Sequence, residues 1–265
     1  MFLNRHVVLQ FLFRKPFGVH SPFVYDFADQ CLFSKVQYPE FALLEKQRKD
    51  LLNDPAELDV VDYGRGVRGR PRPEVDAPLL YKRKVSSIAA RSLQSPALCA
   101  LLYRSVMYFS PLTILELGTS LGITTAYLAK AAPHARIITL EGCGQTAARA
   151  EALFKKNSLS NIEVRTGAFQ HTLIPALDDL KKPDLVYLDG DHSYEGVMNN
   201  YRLISKYMHN NSVLILDDIR WSKGMRKAWL EIAADNYTSL AIDLFRLGIV
   251  FFNPGLSKQI IPLGY

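Results

Sequence analysis

Short, mostly apolar runs alternate with longer segments of helical apolar spacing through the second half of the chain. Five of these runs are predicted to be strands: 113–117, 136–140, 161–165, 184–188 and 213–216. The segments between and after them are predicted to be helices: 123–132, 146–157, 171–180, 194–208 and 223–234. Because strands that are apolar throughout are buried on both faces, this alternation predicts a parallel sheet covered by helices on either side.

The last apolar runs break this alternation. Residues 240–245 and 248–252 form two predicted strands around a short Arg246-Leu247 turn, which indicates an antiparallel hairpin at one edge of the sheet. We therefore predict an α/β fold, a doubly wound and mostly parallel sheet of seven strands that ends in a C-terminal antiparallel hairpin.

The first third of the chain has a different pattern. We assign residues 1–84 to an N-terminal, mainly helical extension and residues 85–265 to the main domain. Residues 85–109 are predicted to be helical, with an interruption where Ser95-Pro96 restarts a helix.

Composition excludes several classes of protein. Of the 265 residues, 48% are hydrophobic and 22% charged, which excludes disordered and collagen-like chains. The three cysteines are scattered and share no CxxC spacing, so a disulfide framework is not expected and a reducing cytoplasm is the predicted location. No window approaches the roughly 18 uninterrupted apolar residues of a membrane-spanning helix.

The net charge of +6 is unevenly distributed. Residues 1–110 hold 16 Lys and Arg against 11 Asp and Glu, whereas residues 111–265 hold 16 against 15. Residues 62–78, a predicted loop rich in Gly and Pro, carry four of the arginines: Arg65, Arg68, Arg70 and Arg72. This loop is either a solvated segment or a contact surface for an anionic substrate or a nucleic acid.

A glycine-containing turn follows the first predicted strand of the sheet. Residues 116–125 read ELGTSLGITT, in which Gly118 permits a tight turn and Gly122 permits close approach of a ligand to the next helix. The spacing is not the GxGxxG dinucleotide pattern, because Ser120 stands between the two glycines and Gly122 lies four residues after Gly118. Either a cofactor or a strand-to-helix turn without a ligand accounts for this segment.

Acidic residues end three more of the predicted strands. Glu141 follows the second strand, where a carboxylate can accept hydrogen bonds from both hydroxyls of a ribose, or can simply be solvated. Asp189 ends the fourth strand and Asp217-Asp218 end the fifth. Since neighbouring strand ends lie about 5 Å apart, we expect these three aspartates to converge. Such a cluster is suited to Mg²⁺; alternatively, Asp218 caps a helix and no ion binds.

These motifs resemble the class I S-adenosylmethionine-dependent methyltransferases, over about residues 85–265. ELGTSLG with Glu141 is similar to their cofactor site, and the 28-residue separation of Asp189 and Asp217 resembles the metal-dependent O-methyltransferases. LDGDHSYEGV, residues 188–197, resembles the sugar and antibiotic branch of that group.

The resemblance implies an S-adenosylmethionine site and a Mg²⁺ site. Its cofactor-binding residues would be Glu116, Gly118, Ser120, Gly122, Thr124, Glu141, Phe169, Gln170 and Asp189. Phe169 and Gln170 would flank the adenine, by similarity to catechol O-methyltransferase-like enzymes, although core packing is the other explanation of Phe169. The metal ligands would be Asp189, Asp217 and Asp218.

The catalytic base is left open between two neighbouring residues. Alignment on the catechol enzymes implies His192, and alignment on the sugar enzymes implies Asp191. Methyl transfer from a sulfonium is an in-line displacement, in which the protein positions the reactants and removes a proton from the acceptor.

The predicted function is therefore S-adenosylmethionine-dependent O-methylation of a small molecule, assisted by Mg²⁺. The resemblance also implies that the N-terminal helices either cover the active site or build a homodimer. The alternatives are a nucleic-acid methyltransferase that uses the basic loop, and a cofactor-binding protein without catalysis. An NAD-dependent oxidoreductase is disfavoured by the glycine spacing.

Overall fold

The computed structural model describes residues 20–63 and 78–264. Its helices are α1 (Pro22–Phe27), α2 (Pro39–Leu52), α3 (Val85–Ser92), α4 (Pro96–Phe109), α5 (Ile123–Ala131), α6 (Gly144–Lys156), α7 (Phe169–Leu180), α8 (Tyr194–Ile204) and α9 (Lys223–Ala234). Its strands are β1 (Glu57–Asp62), β2 (Leu79–Lys84), β3 (Thr113–Leu117), β4 (Arg136–Glu141), β5 (Ile162–Thr166), β6 (Leu185–Leu188), β7 (Val213–Leu216), β8 (Leu240–Asp243), β9 (Gly248–Phe251) and β10 (Gln259–Pro262).

The described residues form two compact units, which we treat separately. One contains residues 36–63 and 78–181, and the other contains residues 20–35 and 182–264. The boundary predicted after residue 84 is not tested by this division and stays a prediction.

Three parallel strands form the centre of the unit built on residues 36–181. β4 lies between β3 and β5, with Leu117 opposite Leu140 and Glu141 opposite Thr166. The carboxyl ends of all three strands therefore lie at one edge, where the chain turns into the helices that follow. β1 and β2 form a separate antiparallel pair, which the sequence patterns did not predict.

The helix restart predicted at Ser95-Pro96 is confirmed in this unit. α3 ends at Ser92, and the Ser95 side chain then accepts a hydrogen bond from the Leu98 amide at 3.2 Å. Pro96 occupies the first helical position, where its missing N–H costs nothing. The sequence Ser-Pro therefore begins α4 rather than continuing α3.

The unit built on residues 20–35 and 182–264 has five strands in the order β10-β8-β9-β7-β6. β6 and β7 are parallel, while β9 runs antiparallel to both β7 and β8, which confirms the C-terminal hairpin. β10 adds a parallel strand beside β8. The sequence pattern predicts the hairpin at the edge of the sheet, and this is wrong. β10 pairs with β8 and forms the edge instead.

In this unit, α9 packs very closely against β9. Gly248, the first residue of β9, faces the ring of Trp229 on α9 so closely that a Cβ there would lie 2.3 Å from the indole. Trp229 is almost completely buried. A glycine at this position therefore lets the indole pack flat on the strand.

The predicted fold class is confirmed: β3 to β9 are the seven strands, most of them parallel, and β10 is an eighth. Of the loop predicted over residues 62–78, residues 64–77 lie outside the described part of the chain. Within the described ranges, no helix is long and apolar enough to cross a membrane.

Candidate functional site

The turn between β3 and α5 contains three residues with a left-handed backbone conformation. Gly118 has φ 105°, Ser120 has φ 49° and Gly122 has φ 84°. The amides of Gly118 and Thr119 both donate to the carbonyl of Leu140, at 2.9 and 3.2 Å. These bonds fold the loop over the end of β4, which leads directly to Glu141.

Gly122 could not carry a side chain without disturbing its neighbours. A Cβ at this position would lie 2.8 Å from the Phe154 ring and 2.9 Å from the Ala150 methyl, both on α6. Its positive φ is a second reason for glycine. The second glycine predicted for ligand approach therefore also lets α5 and α6 pack closely.

The Glu141 carboxylate is held by two backbone amides. Its Oε2 accepts from the Ser120 amide at 2.8 Å, and its Oε1 accepts from the Cys143 amide at 3.0 Å. Burial raises the pKa of this carboxyl and the Asp62 charge adds to the rise, while the two amides oppose it. Each oxygen keeps a second lone pair, so the fixed carboxylate can still accept hydrogen bonds from a diol.

Glu116 lies beneath the glycine turn and is completely buried. Its Oε2 accepts hydrogen bonds from Thr125 Oγ1 at 2.5 Å and from Thr139 Oγ1 at 2.6 Å. Its Oε1 is buried without a hydrogen-bond partner within the described part of the chain. Burial raises the pKa of Glu116 to about 7, although the two threonine hydroxyls lower it. In this position the carboxyl supports the turn from below.

The remaining predicted cofactor residues of this unit lie at helix starts. Phe169 and Gln170 are the first residues of α7, and Phe169 is half-buried while Gln170 is exposed. The preceding Gly167 donates its amide to the Glu141 carbonyl at 2.9 Å, which brings the start of α7 to the end of β4. Thr124 is buried in the first turn of α5.

Sequence reasoning missed two residues next to this site. The Tyr63 ring packs on Gly142, where a Cβ would lie 2.9 Å from the tyrosine Cδ2. Ser92 lies 2.7 Å from Ser120, hydroxyl to hydroxyl. Both contacts join residues far apart in the chain, so no local motif could reveal them. The only sign in the sequence that another residue packs here is the glycine at position 142, directly after Glu141.

In the other unit, the predicted acidic residues lie at the ends of β6 and β7. The Asp217 amide donates to the Leu188 carbonyl at 3.0 Å, which keeps the two strand ends in register. The Asp217 side chain is completely buried, and Asp218 follows it in a left-handed conformation with φ 51°. Burial raises the pKa of the Asp218 carboxyl, and the Asp217 charge raises it further.

Arg246 pairs with both of these carboxylates. Its Nε lies 3.4 Å from Asp217 Oδ1 and 3.2 Å from Asp218 Oδ1. Burial disfavours the charge on this guanidinium, but the two carboxylates outweigh that effect and raise its pKa. The sequence pattern identified Arg246 only as a residue of the hairpin turn.

His192 lies between two of the predicted metal ligands. Its Nε2 is 3.8 Å from Asp189 Oδ1 and 3.9 Å from Asp218 Oδ2, distances of ion pairs and not of hydrogen bonds. Its Nδ1 is buried and has no hydrogen-bond partner within the described ranges. The ring also lies beside Trp221, with 6.0 Å between centroids. Thus Nε2 of this imidazole faces two carboxylates, whereas Nδ1 forms no hydrogen bond with any residue in the described ranges.

Asp191 has a local structural setting. It adopts φ 51°, and its Oδ1 accepts from the Ser193 amide at 3.2 Å. A Cβ on Gly196 would lie 1.9 Å from Asp191 Oδ2, so the carboxylate occupies the space beside this glycine on α8. These contacts fix Asp191 at the start of α8.

The three aspartates do not form a metal site in this structure. Among residues 20–63 and 78–264, no group of three or more His, Cys, Asp or Glu side chains is arranged to hold a metal ion. Asp217 and Asp218 face the Arg246 guanidinium instead. The residues present therefore do not fit the Mg²⁺ site that the resemblance implied.

Comparison with known proteins gives a domain match over part of the chain and a shared fold. Residues 115–219 match a family model described as a methyltransferase domain. An uncharacterised protein of Acanthamoeba polyphaga mimivirus is 29% identical in an alignment 136 residues long, which covers 47% of this chain and 60% of that protein. The chain thus spans less than two thirds of the curated relative that it matches.

Solved structures of methyltransferases share the fold. An O-methyltransferase from Bacillus cereus in complex with SAH has a TM-score of 0.55 and 18% identity, covering 86% of this chain and 96% of that one. TomG, an O-methyltransferase of Streptomyces achromogenes in complex with SAM, has a TM-score of 0.53 and 18% identity, covering 61% and 82%. The predicted resemblance to methyltransferases is thereby confirmed in two respects: residues 115–219 match a methyltransferase domain, and the chain shares the fold of these methyltransferase structures.

Proposed function

We propose that this chain is an S-adenosylmethionine-dependent methyltransferase that transfers a methyl group to a hydroxyl of a small molecule. The matched methyltransferase domain supports the reaction class, because residues 115–219 include every predicted cofactor residue. The O-methyltransferases among the structures of the same fold support oxygen as the methyl acceptor.

One observation carries the proposal: the Glu141 carboxylate is fixed by two backbone amides beside a glycine turn. A carboxylate held in this way is preorganised for the two hydroxyls of a ribose, because it does not have to be ordered when the ligand binds. The turn itself carries no side chain at Gly118, and the missing side chain at Gly122 leaves room for α6 behind the turn. The chain's residues therefore fit an adenosyl cofactor.

Each of these residues has its own role in binding the cofactor. Glu141 accepts the ribose hydroxyls, and the turn from Gly118 to Gly122 lies against the rest of the cofactor. Phe169 and Gln170 flank the adenine. Glu116 holds the turn in place from below, through Thr125 and Thr139.

We assign the base to His192. The bound cofactor supplies an electrophilic methyl group on its sulfonium. His192 accepts the proton of the acceptor hydroxyl, and Asp189 and Asp218 lie near its Nε2 to stabilise the resulting imidazolium. Asp191 is the alternative base, but its carboxylate is engaged at the start of α8.

Binding calorimetry tests the cofactor. We expect S-adenosylmethionine to bind the wild-type chain and NAD not to bind. Glu141→Gln should weaken S-adenosylmethionine binding 10-fold or more, because the amide replaces one acceptor oxygen by a donor. Glu151→Gln, an exposed acid on α6, is the matched control and should bind as the wild type does. Tight NAD binding without S-adenosylmethionine binding would refute the proposal.

A panel of acceptors tests the reaction. Methyl transfer should be detected with at least one member of a set of phenols, catechols and sugars. The alternative of a nucleic-acid methyltransferase depends on Arg65 to Arg72, which lie outside the described residues. Transfer to RNA or DNA, with none to the small molecules, would favour that alternative.

A further inference from the structure

We infer that the Arg246 guanidinium is the resident cation of the Asp217-Asp218 pair, and that this arginine takes the place of the divalent metal expected there. The chain would then bind no divalent ion at these carboxylates, and methyl transfer would not require one. The second statement rests on the proposed function, whereas the first concerns the carboxylates alone.

The geometry of the pair is the first support. A single atom, Arg246 Nε, lies within 3.4 Å of an oxygen from each of two adjacent aspartates. Asp217 is completely buried, and a buried carboxylate is strongly disfavoured unless a positive charge accompanies it. Arg246 supplies that charge from the chain itself.

The hairpin turn fixes the position of Arg246. Its amide donates to the Leu244 carbonyl at 2.8 Å, and its own carbonyl accepts from the Ile219 amide at 3.0 Å. The second of these bonds ties the turn to the residue that directly follows Asp218. The backbone of Arg246 is therefore anchored both within its own turn and to the residue that follows the carboxylate pair.

A second ion pair holds the same turn. Arg220 donates to both oxygens of Asp243, at 2.6 and 2.7 Å, and to the Phe245 carbonyl at 2.7 Å. Planar, bidentate pairs of this kind are the most geometrically specific ion pairs in proteins. The turn that carries Arg246 is thus rigid, and the guanidinium does not have to be recruited from a flexible segment.

The third predicted metal ligand, Asp189, contacts other residues. Asp189 accepts from the Tyr187 hydroxyl at 3.3 Å and lies 3.8 Å from His192. A divalent ion such as Mg²⁺ requires oxygen ligands at about 2.0–2.1 Å in near-octahedral geometry. The guanidinium blocks that approach, both by contacting the same carboxylate oxygens and by charge repulsion.

Binding of Mn²⁺, followed by electron paramagnetic resonance, tests the occupancy. The wild-type chain should show no saturable Mn²⁺ binding, and Arg246→Ala should gain one Mn²⁺ site. Adding Asp217→Asn to Arg246→Ala should abolish the gained site. Arg202→Ala, which removes an exposed arginine on α8, is the matched control and should bind no Mn²⁺. Saturable binding by the wild type, or no binding by folded Arg246→Ala, would overturn the inference.

Folding of the variants is followed by thermal denaturation. If Arg246→Ala does not fold, Arg246→Gln replaces it, since glutamine retains polar contacts without the charge. The wild-type measurement stands in either case, because saturable Mn²⁺ binding there contradicts the inference without any variant.

Activity supplies a separate test. With an acceptor identified, the rate of the wild-type chain should change less than twofold on treatment with EDTA. A 10-fold loss that Mg²⁺ restores would overturn the inference while leaving the proposed methyl transfer intact. Absence of transfer to every acceptor, together with no S-adenosylmethionine binding, would instead refute the proposed function and leave the Mn²⁺ result valid.

Discussion

At the scale of single residues, Glu116 is unusual because a fully buried carboxyl keeps one oxygen without a partner in the described ranges. The hydroxyls of Thr125 and Thr139 satisfy the other oxygen only. Burial disfavours the charged form, and its pKa accordingly rises from 4.5 to about 7. A protonated carboxyl here can also donate a hydrogen bond, which an ionised one cannot.

This pKa predicts a pH dependence of stability. The folded state binds more protons than the unfolded state between pH 4.5 and about 7, so the free energy of unfolding should fall as pH rises through that window. The loss is about 3 kcal/mol, at about 1.4 kcal/mol for each pH unit. Glu116→Gln should remove it, so that the variant gains stability relative to the wild type from pH 5 to pH 8. Urea unfolding at several pH values measures this, with Glu151→Gln as control. An unchanged difference between variant and wild type across that range would contradict the assignment.

The two candidate bases can be separated by substitution. His192→Ala should lower kcat 10²- to 10⁴-fold, the usual contribution of a general base, and leave S-adenosylmethionine binding unchanged. Asp191→Asn should have a much smaller effect, because asparagine also tolerates its left-handed backbone and can accept from Ser193. Kinetics with an identified acceptor decides between them. The opposite ranking of the two variants would assign the base to Asp191.

At the scale of secondary-structure elements, the contact of α6 with the glycine turn couples cofactor binding to helix packing. Gly122 begins α5 while Ala150 and Phe154 of α6 press against it. Any movement of α6 therefore acts on the turn that is proposed to bind the cofactor.

Substitution of two glycines tests this coupling. Gly122→Ala should destabilise the protein by about 2–5 kcal/mol, from backbone strain at positive φ and from overpacking. Gly144→Ala is the matched control, because its Cβ would make only an ordinary contact, 3.6 Å from Thr166. This control should be neutral or slightly stabilising, since alanine is the better helix former. Denaturant unfolding compares them, and equal stability of the two variants would disprove the tight packing.

Sequence patterns predicted most accurately the strands whose burial is nearly uniform. β3, β6 and β7 are buried along almost their whole length, and their bounds agree with the prediction to within a residue. β1, β2 and β10 were missed because they are partly exposed and carry charged or polar residues, as in LLYKRK of β2. Local patterns report burial, and a partly exposed pair of strands resembles a loop.

The same distinction applies to the candidate site. Glu141, Asp189 and Asp217 were found because each ends an apolar strand. Arg246 and Tyr63 were missed as partners because their contacts depend on which distant segments pack together. The structure does not support the predicted Mg²⁺ site. The sequence identifies the aspartates, but it does not reveal that the Arg246 guanidinium pairs with them.

At the scale of the whole molecule, the two ends of the described chain fold together. Residues 20–35 belong to the same compact unit as residues 182–264. Phe23, on α1, makes an edge-to-face contact with Phe251 of β9, with ring centroids 5.0 Å apart. The helix that begins the described chain therefore contacts the hairpin strand next to the turn that carries Arg246.

This arrangement predicts that a substitution near the start of the chain weakens its C-terminal strands. Phe27 is completely buried in this unit, so Phe27→Ala should cost about 3–5 kcal/mol of unfolding free energy. Tyr25 is half exposed on the same helix, and Tyr25→Ala should cost far less unfolding free energy.

Hydrogen exchange tests whether this loss reaches the C-terminal strands. The β9 amides should exchange faster in Phe27→Ala than in Tyr25→Ala. Because β9 directly follows the turn that holds Arg246, Phe27→Ala should also permit some Mn²⁺ binding at Asp217 and Asp218. If Phe27→Ala loses much stability but its β9 amides exchange as slowly as those of the wild type, α1 stabilises another part of the unit.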